Sequence, residues 1–83
     1  MESEIRKSAV KVIQESAASF PTKFIARSQV KTFTGGVYSS GYLANHDSLG
    51  TGPKGAFKIG RQVCYPTSSL CDWLVQRLEG GKI

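Results

Sequence analysis

SQVKTFTGGVYSSGYLANHDSLG, residues 28–50, reads as two short helices joined by a glycine turn. Ser28 is a candidate cap for the first, which runs to about Phe33 and turns Val30 and Phe33 inward. Thr34-Gly35-Gly36 breaks it, because glycine reaches the positive φ values that a tight interhelical turn requires. Ser39 is placed to cap the next helix, Ser40 to about Ser48, with Leu43 in its apolar stripe and Gly50 just past its end. Helix, short turn, helix is the helix-turn-helix pattern. Alone it is weak, because many helical hairpins share it.

The segment that follows strengthens the reading. Residues 51–55, TGPKG, form a loop, and Phe57-Lys58-Ile59 and Gln62-Val63-Cys64-Tyr65 alternate in the strand manner. Gly60-Arg61 joins them in two residues, as a type II′ hairpin does. Arg61 then sits at the hairpin tip and Lys58 on its outer face, so the hairpin reads as a basic wing. Pro66 closes the strand, and Thr67 is expected to cap a last helix from about Ser68 to Leu78. Its inward residues are Leu70, Cys71, Leu74 and Leu78, with Trp73 covering an edge. The string GTGPKG, residues 50–55, also fits G-x-G-x-x-G. That motif holds a dinucleotide only between a strand and a following helix, and here the order is reversed.

Upstream, residues 3–18 read as an amphipathic helix with Ser3 as its cap and Ile5, Ala9, Val12, Ile13 and Ala17 recurring at helical spacing. Phe20-Pro21 ends it, because proline disfavours helix in the residue before it. Phe24-Ile25 then form a short strand or an extended lead-in.

With 83 residues there is room for one domain and one small core. The net charge of +5 is confined to the middle. Residues 1–19 balance three acids with three bases, and residues 66–83 are also neutral. Residues 20–65 carry Lys23, Arg27, Lys31, Lys54, Lys58 and Arg61 against Asp47 alone. Charge concentrated in this way points to a face that binds a polyanion. Cys64 and Cys71 are expected to be buried, reduced hydrophobes, and with one histidine they lack the paired spacing of a zinc site. The N-terminus lacks a signal-peptide core and no apolar run reaches a bilayer span, so a cytoplasmic protein is expected. No nucleophile–base pair or carboxylate dyad stands out, so no enzymatic chemistry and no cofactor are expected.

Four separated blocks carry a family resemblance: SSGYLAN (39–45), GTGP (50–53), FKIGR (57–61), and Tyr65-Pro66 with Leu70, Trp73 and Leu74. In that order they resemble the excisionase and AlpA-type proteins, compact winged-helix relatives of the MerR DNA-binding domain, over roughly residues 24–78. The chain departs from that pattern in the turn at Gly35-Gly36-Val37, at Ser40-Gly41 and at His46, and by its N-terminal helix. The resemblance implies an α+β, mostly helical fold: a winged helix-turn-helix with a two-stranded hairpin wing and an extra N-terminal helix. It also implies double-stranded DNA as partner, bound by the second helix of the motif and the wing. Members of the family regulate transcription or direct recombination in mobile elements, so an integrase, or self-association on DNA, enters as a further partner.

Arg27, Lys31, Lys54, Lys58 and Arg61, with Lys23, are the candidate phosphate contacts. Ser39, Ser40, Tyr42 and Asn45 are the candidate groups on the reading helix. Asn45 is first among them, because its amide can pair with adenine N6 and N7 together. His46 has no partner at catalytic spacing and reads as a part-buried packing residue. Tyr65 and Trp73 are read as core aromatics. The competing expectation is a protein-interaction module that uses the basic face or the N-terminal helix.

Overall fold

Pro21 divides the chain into a long helix and a compact remainder. The computed structural model describes residues 2–78, with the backbone alone for Glu2 and Ser3. α1 spans Glu2–Ser19. Ser3 therefore lies inside the helix rather than at its cap, and its side chain is outside the described residues. Phe20 follows, its ring edge-on to Phe33 at 5.3 Å. α1 lies against α4 (Thr67–Gln76), where Arg6 donates to the Val75 carbonyl at 3.5 Å. The side turned inward is Ala9, Val10, Ile13 and Ala17, all half-buried. Ile5 and Val12, expected on that side, are exposed. The apolar arc of α1 is wider than its contact, and docking on α4 selects one edge of it.

The strand β1, Phe24–Ala26, leads into a 3-10 turn, Arg27–Gln29, and then into α2, Val30–Phe33. Ser28 is not a cap: it lies inside the 3-10 turn, which starts directly from the strand with no side-chain cap bond. α2 ends in consecutive left-handed glycines, Gly35 at φ +65° and Gly36 at φ +92°. The Gly36 amide returns to the Lys31 carbonyl at 2.7 Å. Thr34 stitches the turn, donating to the Val30 carbonyl at 2.9 Å and accepting from the Tyr38 amide at 3.2 Å.

α3, Ser40–Leu49, has the ends its sequence implies. The Ser39 hydroxyl accepts from the Tyr42 amide at 3.2 Å, and Gly50 closes the helix at φ +75°. β2, Phe57–Ile59, and β3, Gln62–Pro66, form the hairpin. Gly60 has φ +60° while Arg61 keeps a negative φ, as a type II′ turn requires.

The sheet has three strands in the order β1-β3-β2, all antiparallel, instead of the isolated two-stranded wing. Phe24 pairs with Pro66, Ile25 with Tyr65 and Ala26 with Cys64. Extended backbone beside the free edge of β3 finds its hydrogen-bond partners there. Thr67 is consequently not a cap. It is the first residue of α4, its amide bonds the Lys23 carbonyl at 2.8 Å and its hydroxyl the Thr22 carbonyl at 2.9 Å. α4 ends at Gln76, so Leu78 lies beyond it.

Ile25, Val30, Leu43, Tyr65, Leu70 and Trp73 form the core, with Phe20, Phe33, Tyr38, Val63 and Leu74 around it. Cys64 and Cys71 are buried and free, and burial pushes the Cys71 thiol up. Among the described residues no helix is long and apolar enough to cross a membrane.

Candidate nucleic-acid interface

The only buried residue of α3 is Leu43, so the rest of the helix is available to solvent or to its flanks. Ser39, Ser40, Gly41, Tyr42 and Asn45 are exposed, and Ala44, His46 and Asp47 are half-buried. The Asn45 amide has no partner among the described residues. The Ser39 hydroxyl is occupied by the cap, and Ser40 opens the first turn.

Two fastenings hold this helix. At its C-terminal end, Asp47 Oδ2 accepts from Arg27 Nη2 at 2.6 Å and from the Tyr65 hydroxyl at 2.5 Å. Arg27 Nε donates to the same hydroxyl at 2.9 Å. Tyr65 is fully buried. Burial, reinforced by its bond to Asp47, pushes its phenol up to about 12. The Tyr65 hydrogen bond, with Asp47 beside it, holds the Arg27 guanidinium above its ordinary value. Gly52 seals the group: a Cβ at that position would collide with the Asp47 carboxylate. The stretch at residues 50–53 is thus explained by packing, with Gly50 ending α3, Gly52 making room for Asp47 and Pro53 buried.

At the leading end, Arg77 donates to the Tyr42 hydroxyl at 2.7 Å and to the Tyr38 hydroxyl at 3.1 Å. These bonds, Tyr38 first, hold its guanidinium above the ordinary value. The guanidinium also lies 4.7 Å from the Trp73 ring centre. Tyr38 and Tyr42 stack at 4.8 Å and 7°. His46 completes the row between Tyr42 and Trp73, its Nδ1 within hydrogen-bond distance of the Thr51 hydroxyl at 2.7 Å. Trp73 Nε1 donates to the Thr51 carbonyl at 2.8 Å. His46, Tyr65 and Trp73 therefore pack as the sequence suggests.

The strand register fixes which face of the hairpin Lys58 occupies. Residues opposite one another in an antiparallel pair share a face. Ile25, Tyr65, Val63 and Lys58 accordingly share one face of the sheet. That is the face bearing the core, and α3 is fastened to it through Tyr65. Lys58 is therefore not on the outer face of the hairpin but on the side where α3 packs. The outer face carries Phe24, Phe57 and Ile59, all partly exposed, with the two phenylalanine rings 5.8 Å apart.

Two more expected contacts change their standing. Arg27 is consumed by Asp47 and Tyr65, so it acts as a structural cation. Tyr42 is held flat against Tyr38 by Arg77, so its hydroxyl does not project freely. The charge remaining is carried by Lys23, Lys31, Lys54, Lys58 and Arg61, all exposed and, among the described residues, without side-chain ion pairs or hydrogen bonds. The structure brings Ser39, Ser40 and Asn45 onto one helix, with Lys58 on its side of the sheet and Arg61 at the hairpin tip. Lys31 lies on α2 and Lys54 in the loop before β2, on neither of those elements. Arg77 was missed because its partners lie 35 and 39 residues away, with no local pattern to announce them. Among the described residues no three His, Cys, Asp or Glu side chains come together to hold a metal ion.

Comparison with protein-family profiles, with curated proteins and with solved structures finds no match to this chain.

Proposed function

We propose that this is a sequence-specific double-stranded DNA-binding protein with a winged helix-turn-helix architecture. In this reading α3 enters the major groove while Lys58 and Arg61 grip the flanking backbone. The observation that carries it is the exposed leading half of α3, with the unpaired Lys58 on the same side of the sheet and the unpaired Arg61 at the hairpin tip. A phosphate lattice is the partner that such charge fits, because each neutralised phosphate releases counterions. The resemblance of residues 24–78 to excisionase and AlpA-type proteins supports a role in transcription control or recombination direction within a mobile element. Gel-shift titration on the element's attachment site against its promoter separates those two roles.

The test of the reading is equilibrium binding to a random duplex across a salt series. Lys58 and Arg61 each on a phosphate give a slope of log K against log salt of about −2. No duplex binding at about 50 mM salt would refute the reading. One observation favours a second reading, a protein-docking module: the apolar outer face of Phe24, Phe57 and Ile59. That module predicts no dependence of duplex affinity on Lys58 or Arg61.

A further inference from the structure

We propose that the base-reading edge of α3 is the line Gly41–Asn45–Leu49, with Gly41 as the point of closest approach and Leu49 as the contact for a thymine 5-methyl group. This rests on the DNA-binding reading and specifies how that helix would discriminate sequence.

Residues four apart stack on one side of a helix, so Gly41, Asn45 and Leu49 form a line. The line lies away from Leu43, the helix's only buried residue. Its composition is not explained by the fold. Leu49 is 74% exposed, the most exposed large hydrophobic among the described residues. Gly41 has ordinary helical backbone geometry, and a Cβ there would meet only the Ser39 hydroxyl at a comfortable 3.8 Å. Glycine is a poor helix former, and alanine would fit without strain. Gly35, Gly36, Gly50 and Gly60 are needed for their positive φ, and Gly52 for lack of space. Gly41 answers to neither need. A bare backbone in the first turn of a helix, on its solvent side, suits the close approach of a partner.

The occupant is the major groove of duplex DNA, chosen by charge: the exposed Lys58 lies on the side of the sheet where α3 packs and the exposed Arg61 at the hairpin tip, while Asp47 is neutralised internally by Arg27. Asn45 and Leu49 are separated by about 6 Å along the helix, less than two base-pair steps of about 3.4 Å. A groove that offers adenine to Asn45 can therefore offer a thymine methyl to Leu49 within the next two positions.

The experiment uses the full chain and a duplex selected from a random pool. Thymine at each position near the Asn45-dependent adenine is replaced by uracil, which lacks only the methyl group. At one position the wild type should lose about fourfold in affinity, the value of one buried methyl. Leu49→Ala should bind the thymine and uracil duplexes equally. Gly41→Ala should raise the thermal midpoint while lowering affinity for the selected duplex about tenfold and leaving random-duplex binding unchanged. A purely structural glycine would move stability and binding together. Specific binding with no thymine–uracil difference, or with Gly41→Ala harmless to it, overturns this proposal alone. Failure of the wild type to bind any duplex overturns it together with the reading beneath it.

Discussion

Asp47→Ala removes the acceptor on which Arg27 and Tyr65 converge, and its cost follows from the geometry. The Arg27–Asp47 pair keeps about a quarter and a fifth of its side-chain surface in solvent (25% and 21%). Screening reduces such a pair to about 0.5–1 kcal/mol. The Tyr65 hydroxyl is different, because Tyr65 is fully buried and would lose its acceptor. An orphaned buried hydroxyl costs about 1–3 kcal/mol. Against this, a carboxylate in the last turn of a helix opposes the dipole, and its removal returns about 0.3–0.5 kcal/mol. The expected net loss is about 2 kcal/mol, dominated by the hydroxyl. A domain of this size holds about 4–12 kcal/mol in all. The thermal midpoint should fall by about 8–16 °C. Urea unfolding followed by Trp73 fluorescence and circular dichroism measures it, with the slope m unchanged. Asp47→Ala combined with Tyr65→Phe should cost less than the sum of the single variants, because phenylalanine leaves no orphaned hydroxyl. A loss below about 0.5 kcal/mol, or strict additivity, would show that the group is an ordinary surface pair.

Gly52→Ala drives a Cβ into the Asp47 carboxylate and should destabilise strongly in the wild type but weakly in an Asp47→Ala background; urea midpoints of the four proteins decide it. Raising the pH should destabilise the protein through Tyr65. Its folded pKa of about 12 exceeds the ordinary 10, so its contribution is complete below pH 10 and declines as pH rises from 10 towards 12. Tyr65→Phe should remove that decline, and alkaline titration of both proteins by tyrosinate absorbance and circular dichroism checks it. Arg61→Ala should weaken binding to every duplex and flatten the salt slope by about one unit, as fluorescence anisotropy across a salt series would show. Asn45→Ala should leave random-duplex binding intact and lose about 1–3 kcal/mol at one base pair of the selected site.

The parts of the fold legible in the sequence are those with local causes. Ser39 and Gly50 bound α3 because a cap hydroxyl and a left-handed glycine act within a few residues of where they stand. Pro21 and Gly60-Arg61 mark a helix end and a hairpin for the same reason. The misread parts depend on partners far away in the chain. β1 was readable as a short strand or extended lead-in at Phe24-Ile25, but its place in the sheet was not, because its partner β3 lies about 40 residues on. Thr67 looks like a cap until β1 draws its amide and hydroxyl to the 22–23 backbone. Alternation in β2 separates Lys58 from Phe57 and Ile59, but only the register with Val63 tells which side faces the core. Of the site, Asn45, Lys58 and Arg61 were legible as exposed polar groups. Arg27 was not legible as a structural cation, since its bond to Asp47 spans 20 residues.

The central claim is that α3 and the side of the sheet carrying Lys58 meet duplex DNA together. Titrating a duplex into labelled protein and following each backbone amide by nuclear magnetic resonance tests it directly. The account predicts that the largest shifts fall on Gly41, Asn45, Lys58, Gly60 and Arg61, with Phe24 and Phe57 little changed. Shifts concentrated on α1 or on the Phe24–Phe57 face, with α3 silent, would contradict it.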